Sequence, residues 1–362
     1  MRWAVAALPL VCSFATALGA QTTDCATCHP AEAKLHAQTR MAHAMSPALS
    51  SAFVQNLPQQ PLRESGDGYA FTYQTSADGV SVTAARGTDQ ATGLIEWVLG
   101  AGAQGQTPLV RTADAMRESR VSYFPQLHQY GITVGQDGGA SPDAQAALGL
   151  KESGRDLQAC IGCHSSAITR DLQPVVPGVQ CNRCHIGSED HARGNGKLPS
   201  NPGKLTPPEQ VRFCGNCHRN KPPVDDAQLE NIRFQPLRLM KSRCFASGKL
   251  ACTTCHVAHQ DARRNDPAFY NAKCHACHDA QAISQAGTRA TERPVRLSQP
   301  GTTAIERPVP FHTDQRQTGD CIGCHMPYVE LHPALHFTDH FIRVVKAGDL
   351  PASRLKQRGS GS

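Results

Sequence analysis

Aromatic residues supply only 5% of this 362-residue chain, and 25 prolines and 30 glycines interrupt it. That is thin material for a hydrophobic core of this length, so something other than side chains must fill the interior. Long apolar runs are scarce too. Past the first twenty residues no segment approaches the roughly 20 apolar residues that a transmembrane helix requires. The one apolar run, Trp3 to Leu18, follows Arg2 and gives way to Gly19 and Ala20, the pattern of a Sec-type signal peptide over residues 1–20. The expected product is therefore exported, periplasmic or extracellular, with no transmembrane segment. Cys12 lies inside the run and lacks a lipoprotein cleavage context, which argues against a lipid anchor.

Cysteine is what the chain does have. Sixteen cysteines in an exported chain would ordinarily be read as a disulfide framework, but fourteen of them fall in one repeated pattern, C-x-x-C-H. The copies are Cys25/Cys28/His29, Cys160/Cys163/His164, Cys181/Cys184/His185, Cys214/Cys217/His218, Cys252/Cys255/His256, Cys274/Cys277/His278 and Cys321/Cys324/His325. Two cysteines about one helical turn apart can add to the two vinyl groups of one porphyrin, and the next histidine then points at the iron. Zinc sites do not require a histidine after every second cysteine, and an odd number of units pairs badly into four-ligand sites. Redox-active C-x-x-C disulfides occur as single active-site copies, unlike this array. The reading is seven covalent haem c groups. Their propionates would carry the formal charge from +6 to roughly −8 if all are ionised, which argues against nucleic-acid binding. Cys244, outside the repeats, reads as a small apolar residue near a haem, with an iron ligand or a reactive thiol as minority readings.

The motif histidines leave ten of the seventeen histidines to serve as second axial ligands. His259 follows His256 by three residues, so on a helical turn both project to one side and His259 serves a neighbouring iron. His191, six residues past its motif in a glycine-containing stretch, can likewise turn back onto a different iron. His332, His336 and His340 share one face if a helix begins near Pro333, and at least one or two of them are expected to be ligands. His312 and His128 complete the candidates, His128 with a surface role as the equal alternative. At the first motif His36, Met41, His43 and Met45 compete, and a methionine would raise the potential relative to a second histidine. His275, between its own motif cysteines, is expected at the surface or against a propionate.

Six motifs crowd between Cys160 and His325, too densely for an ordinary core, so the porphyrins should be the core there. The expected fold class is mostly irregular, with short α-helices wrapped around stacked haems and a small β-rich haem-free insert near the N-terminus. Pro222, Pro223, Pro300 and Pro310 fit the irregular loops. Within the insert, Tyr69–Tyr73, the turn Asp78-Gly79 with Val80–Val82, Ile95–Leu99 and Ile132–Val134 read as strands. The expected divisions are a first haem-binding segment (21–55), the insert (56–150), a hexahaem domain (151–345) and a flexible basic tail (346–362) to which no function is assigned.

Four segments carry a family resemblance: the Cys25 segment with Thr39-Arg40-Met41; Gly178-Val-Gln-Cys-Asn-Arg-Cys-His with His191; Cys244-Phe, then Cys252-Thr-Thr-Cys-His with His259; and Cys321-Ile-Gly-Cys-His-Met-Pro with Asp339-His340. Together they resemble bacterial multihaem cytochromes with doubled C-x-x-C-H motifs, related to the tetrahaem cytochromes of ammonia oxidisers and the hydroxylamine oxidoreductase superfamily. The resemblance implies stacked haem pairs, edge-to-edge electron hopping, and His191, His259, His312 and His340 as cross-ligands. It departs from the nitrite reductases of that superfamily, whose catalytic haem takes a lysine, because no C-x-x-C-K is present. The leading expectation is an electron carrier between redox partners, such as a quinol-oxidising membrane complex or other cytochromes. The alternative is an oxidoreductase with one open haem, at the Cys160 motif or the first, acting on a nitrogen or sulfur oxyanion. A third reading, self-association into a conducting filament, stays open.

Overall fold

The computed structural model describes residues 25–64, 68–77, 79–136, 139–219, 229–278, 320–346, 348–350 and 355–356. The signal segment, Asp78, His312, the four loop prolines and most of the basic tail lie outside the described residues.

The expected fold class needs correction. The largest single body is an eight-stranded antiparallel sheet with its own hydrophobic core, far more than a small insert in a helical wrap. Its strands are β1 (Met45–Pro47), β2 (Leu62–Arg63), β3 (Ala70–Ser76), β4 (Gly79–Arg86), β5 (Asp89–Leu99), β6 (Thr107–Arg111), β7 (Met116–Ser119) and, after a separate hairpin of β8 (Val121–Phe124) and β9 (Gln129–Ile132), β10 (Gly149–Lys151). They pair in the order β10-β7-β6-β5-β4-β3-β2, and β1 joins the far end of β5 through Met45 opposite Leu99. The period-2 alternation explains the centre: Val80, Val82 and Ala84 face inward opposite Ile95, Gly93 and Ala91. Gly93 answers a packing demand, since a Cβ there would lie 2.4 Å from a Val110 methyl. The segment expected to continue to Val134 stops at Ile132.

Most polar groups inside this body are paired, as burial demands, with the Tyr73 hydroxyl, Arg117 Nε and the Ser141 hydroxyl as exceptions. Gln106 accepts from the Phe53 N–H at 2.7 Å and donates to the Gly100 carbonyl at 3.1 Å. Thr107, Ser122 and Thr133 form a chain of hydroxyls with both links at 2.7 Å. The guanidinium of Arg120 pairs with Glu64 in the interior and donates to the Gln136 carbonyl at 2.7 Å.

The helices are short, and half of those described carry motif cysteines. They are α1 (Pro30–His36), α2 (Ala52–Gln55), α3 (Ala144–Leu148), α4 (Gly154–His164), α5 (Cys181–Cys184), α6 (Ser188–Ala192), α7 (Pro207–His218), α8 (Gln235–Leu239), α9 (Arg243–Ala246), α10 (Cys252–Cys255), α11 (Pro267–His275) and α12 (Cys321–His325). In α7 the capping box of Thr206 with Glu209 and two prolines in the first turn start the helix that delivers Cys214, Cys217 and His218 to its end.

A second apolar cluster ties the sheet to the second motif. Leu157 and Ile161 of α4 pack with Met45, Leu99 and Leu109. Ile161, 1% exposed, stands between Cys160 and Cys163, so its burial orients that motif. We expect Ile161→Ala to destabilise the protein by about 2–5 kcal/mol, the usual cost of such a truncation, read as a lowered denaturation midpoint.

The three tail histidines are not on a helix. Residues Tyr328–His332 and Leu335–Thr338 form an antiparallel hairpin, β11 and β12 once the short pair Ser165–Ile168 and Pro174–Pro177 is left unnumbered. Pro333 restricts His332 to extended backbone, and Tyr328-Val-Glu-Leu already alternates as a strand does.

Candidate haem-binding site

One continuous cavity of about 3710 Å³ runs through the helical half of the molecule, and residues of all seven motifs line it. Shared equally, that volume allows about 530 Å³ per motif, within the ~300–1,000 Å³ of a pocket for one cofactor-sized ligand. Side-chain packing is correspondingly sparse around it: the third apolar cluster holds only Ile232, Val329 and Leu350 at its centre.

Several motif histidines are oriented for metal binding by the backbone. The Nδ1–H of His164 donates to the Ala44 carbonyl at 2.8 Å, that of His185 to Ser200 at 3.0 Å, and that of His325 to Arg343 at 2.9 Å. A carbonyl can only accept, so each ring carries its proton on Nδ1 and leaves Nε2 as the lone-pair nitrogen, as a haem ligand requires. Burial lowers the pKa of His218 and of His256, which keeps both imidazoles neutral. Burial also pushes the Cys160 thiol up to about 11 and the Cys274 thiol up to about 12, so both are uncharged at neutral pH.

Two ring pairs give a direct test of fit. An imidazole nitrogen sits about 2 Å from a metal it ligates, with the ring centre about 1 Å further back, so two rings across one iron have centres about 6 Å apart. His185 and His259 have ring centroids 6.0 Å apart, and His256 and His340 have theirs 6.2 Å apart. In each pair one ring belongs to a motif and the other comes from a distant part of the chain. His340 also donates Nδ1–H to the Thr338 carbonyl at 3.0 Å, which makes Nε2 the lone-pair nitrogen of its ring. Burial, followed by the proximity of His185, lowers the pKa of His259.

The strand end that presents His340 is held by charge. Asp339 is fully buried and accepts from Arg238 through two bonds of 2.7 Å and from Arg343 at 2.8 Å. Burial alone would raise its pKa, but Arg238 and the Phe341 N–H hold it below the ordinary value. Ser242 adds a bond to the His340 carbonyl at 3.3 Å.

The remaining candidates are placed as follows. His191, in α6, and His36 line the cavity; His36 uses Nε2 on the Val179 carbonyl at 2.8 Å. His336 lines it as well, with Nε2 3.2 Å from Glu330 and its ring stacked on Tyr328 at 5.5 Å. His43 is exposed, bonds the Ala37 carbonyl and is not among the lining residues. His128 is exposed in the turn between β8 and β9, also away from the lining. Met45 is buried in the sheet cluster, whereas Met41 faces the cavity. His275 and Cys244 line the cavity, and His332 stands against Phe124 instead. The motifs of the sequence give no sign of Arg183, Gln210 and Gln104, which bond between distant segments, or of Glu330, which bonds His336 across its hairpin. Nothing local distinguishes them from ordinary surface polar residues.

Seven C-x-x-C-H motifs around one cavity make a site whose residues fit covalently bound haem c. In the comparisons with known proteins, residues 133–186, which include the second and third motifs, match the family model for cytochrome c554 and c-prime. Among solved structures, the outer cell wall cytochrome OcwA is similar at 15% identity and a TM-score of 0.49, over 90% of this chain and 79% of that one. No curated protein matches.

Proposed function

We propose that this chain is an exported heptahaem cytochrome that carries electrons between redox partner proteins. The observation that carries this reading is the convergence of all seven motifs on one cavity. In the proposal the fourteen motif cysteines hold the porphyrins covalently and the seven motif histidines are proximal ligands. Of the second ligands, His259 and His340 belong to the irons of His185 and His256 on the strength of their ring spacing. His36, His191 and His336 are the further candidates on the cavity wall, and His312 is retained on sequence alone. Bound haem supplies one-electron chemistry at potentials set by axial ligands, charge and burial. The residues exclude water, fix the imidazole tautomers and hold neighbouring motifs together. The apolar leader at residues 1–20 supports export, and among the described residues no helix is long and apolar enough to cross a membrane.

One observation favours the oxidoreductase alternative. The imidazole of His336 and the ring of Tyr328 stack at the cavity wall, with the carboxylate of Glu330 3.2 Å from His336 Nε2 and the His336 backbone N–H donating to Gln104 at 3.2 Å. Such a group can deliver protons to a substrate bound at a nearby iron. Electron paramagnetic resonance of the oxidised protein, with a pyridine haemochrome count on the same sample, separates the readings. Seven haems, all low-spin, are expected for the carrier. A high-spin ferric signal near one haem equivalent would instead select the enzyme.

A further inference from the structure

The motifs do not follow one another in space as they do along the chain. The second, third and fourth meet at one place. Cys163 Sγ lies 3.9 Å from the Asn216 carbonyl, inside the fourth motif, and its thiol is hydrogen-bonded to that of Cys217. Arg183, from the third motif, donates Nη2 to the Gly162 carbonyl inside the second at 2.6 Å and also hydrogen-bonds Cys217. At the other side of the fourth motif, Cys214 is hydrogen-bonded to Cys252. The same junction is locked by Gln210 of α7, 1% exposed, which donates to the Thr253 hydroxyl at 3.0 Å and accepts from the Thr253 N–H at 2.8 Å. Beyond the fifth motif, α10 packs on α11 and α11 on α12, with Cys274 hydrogen-bonded to Cys321.

The first motif is held against the third. Val179, two residues before Cys181, donates its N–H to the Met41 carbonyl at 2.9 Å and accepts from His36. Arg40 donates its N–H to Asp261 at 2.8 Å, beside His259. Gly178 makes this approach possible: its φ is +75°, and a Cβ would fall 1.9 Å from the Ala42 carbonyl oxygen.

Each motif sulfur would be bonded to a side-chain carbon of its porphyrin once the thioether had formed. Motif sulfurs that lie side by side would therefore hold the porphyrins of two motifs as near neighbours. We propose that the second, third and fourth motifs together form a three-way junction of the electron path, which ends on the sheet at the second, leads through the third to the first, and leads from the fourth through the fifth and sixth to the seventh. This rests on the heptahaem reading. Each hop oxidises one ferrous iron and reduces a neighbouring ferric iron, with the electron supplied by a reduced partner protein and no atom transferred. Electrons entering at any of the three ends would reach the other two through this cluster of motifs.

Arg183 gives the junction a test, because its cation sits in the third motif and touches both the second and the fourth. A nearby positive charge favours the ferrous state and raises the potential. Arg183→Gln is expected to lower the midpoint potentials of three haem equivalents together and leave four unmoved in an optical redox titration, and Arg183→Lys should restore most of the shift. Movement of a single equivalent, of all seven alike, or of none would overturn the junction. A pyridine haemochrome count on the same samples keeps the two claims apart: a number other than seven counts against the heptahaem reading, whereas seven with the wrong pattern of shifts counts against the junction alone.

Discussion

Replacing His340 with glycine is expected to convert one haem equivalent from low to high spin and to raise its potential, and added imidazole should return the low-spin signal. The expectation follows from the 6.2 Å between the rings of His256 and His340, the separation of two imidazoles with one iron between them. With that ring removed, the iron beside His256 keeps one protein nitrogen and admits water or a small ligand. A loss of imidazole donation destabilises ferric more than ferrous iron, which sets the direction of the shift. An unchanged low-spin spectrum in the folded variant would show that His340 ligates nothing.

The second large effect is on stability. Asp339→Ala removes the carboxylate that accepts from both Arg238 and Arg343, whose side chains are 11% and 14% exposed. Two guanidiniums would then be left close together and largely out of water. Breaking a buried ion pair by deleting one partner costs on the order of 3–5 kcal/mol, and the next residue along is the His340 just discussed. We therefore expect a much lower denaturant midpoint, together with partial loss of the same low-spin signal. A midpoint within experimental error of the parent would mean that the two arginines find other partners. The pairing also shows how a ligand on an irregular segment is held: the charge cluster, the Ser242 hydroxyl and the Thr338 carbonyl fix the backbone and ring where no regular element does.

The contrast between the two halves of the molecule shows what was legible in advance. The long central strands announced themselves, because Val80, Val82 and Ala84 alternate with Ser81, Thr83 and Ala85. Met45–Pro47 and Gly149–Lys151 did not, since three residues carry no period and their place is set by pairing with Leu99 and Ser119 far away in the chain. The sheet was underestimated for that reason. The spacing of His332, His336 and His340 misled in a different way: intervals of four suit the 3.6-residue period and the 2-residue period alike. Pro333 decided the matter, and the turn then sent His332 toward Phe124 while His336 and His340 kept to the cavity.

The sequence alone determined the proposed chemistry: seven C-x-x-C-H units would assign where porphyrins attach and which histidine each iron meets first, because those bonds would be made by residues one turn apart. Local covalent geometry suffices for that. Which second histidine faces which first one, and which motifs share an edge, was decided by the tertiary structure. His185 meets His259 and His256 meets His340 across long stretches of chain, through carbonyls, glycine approaches and buried ion pairs that bind distant segments together. Contacts of that kind are made only when the whole chain closes around its core.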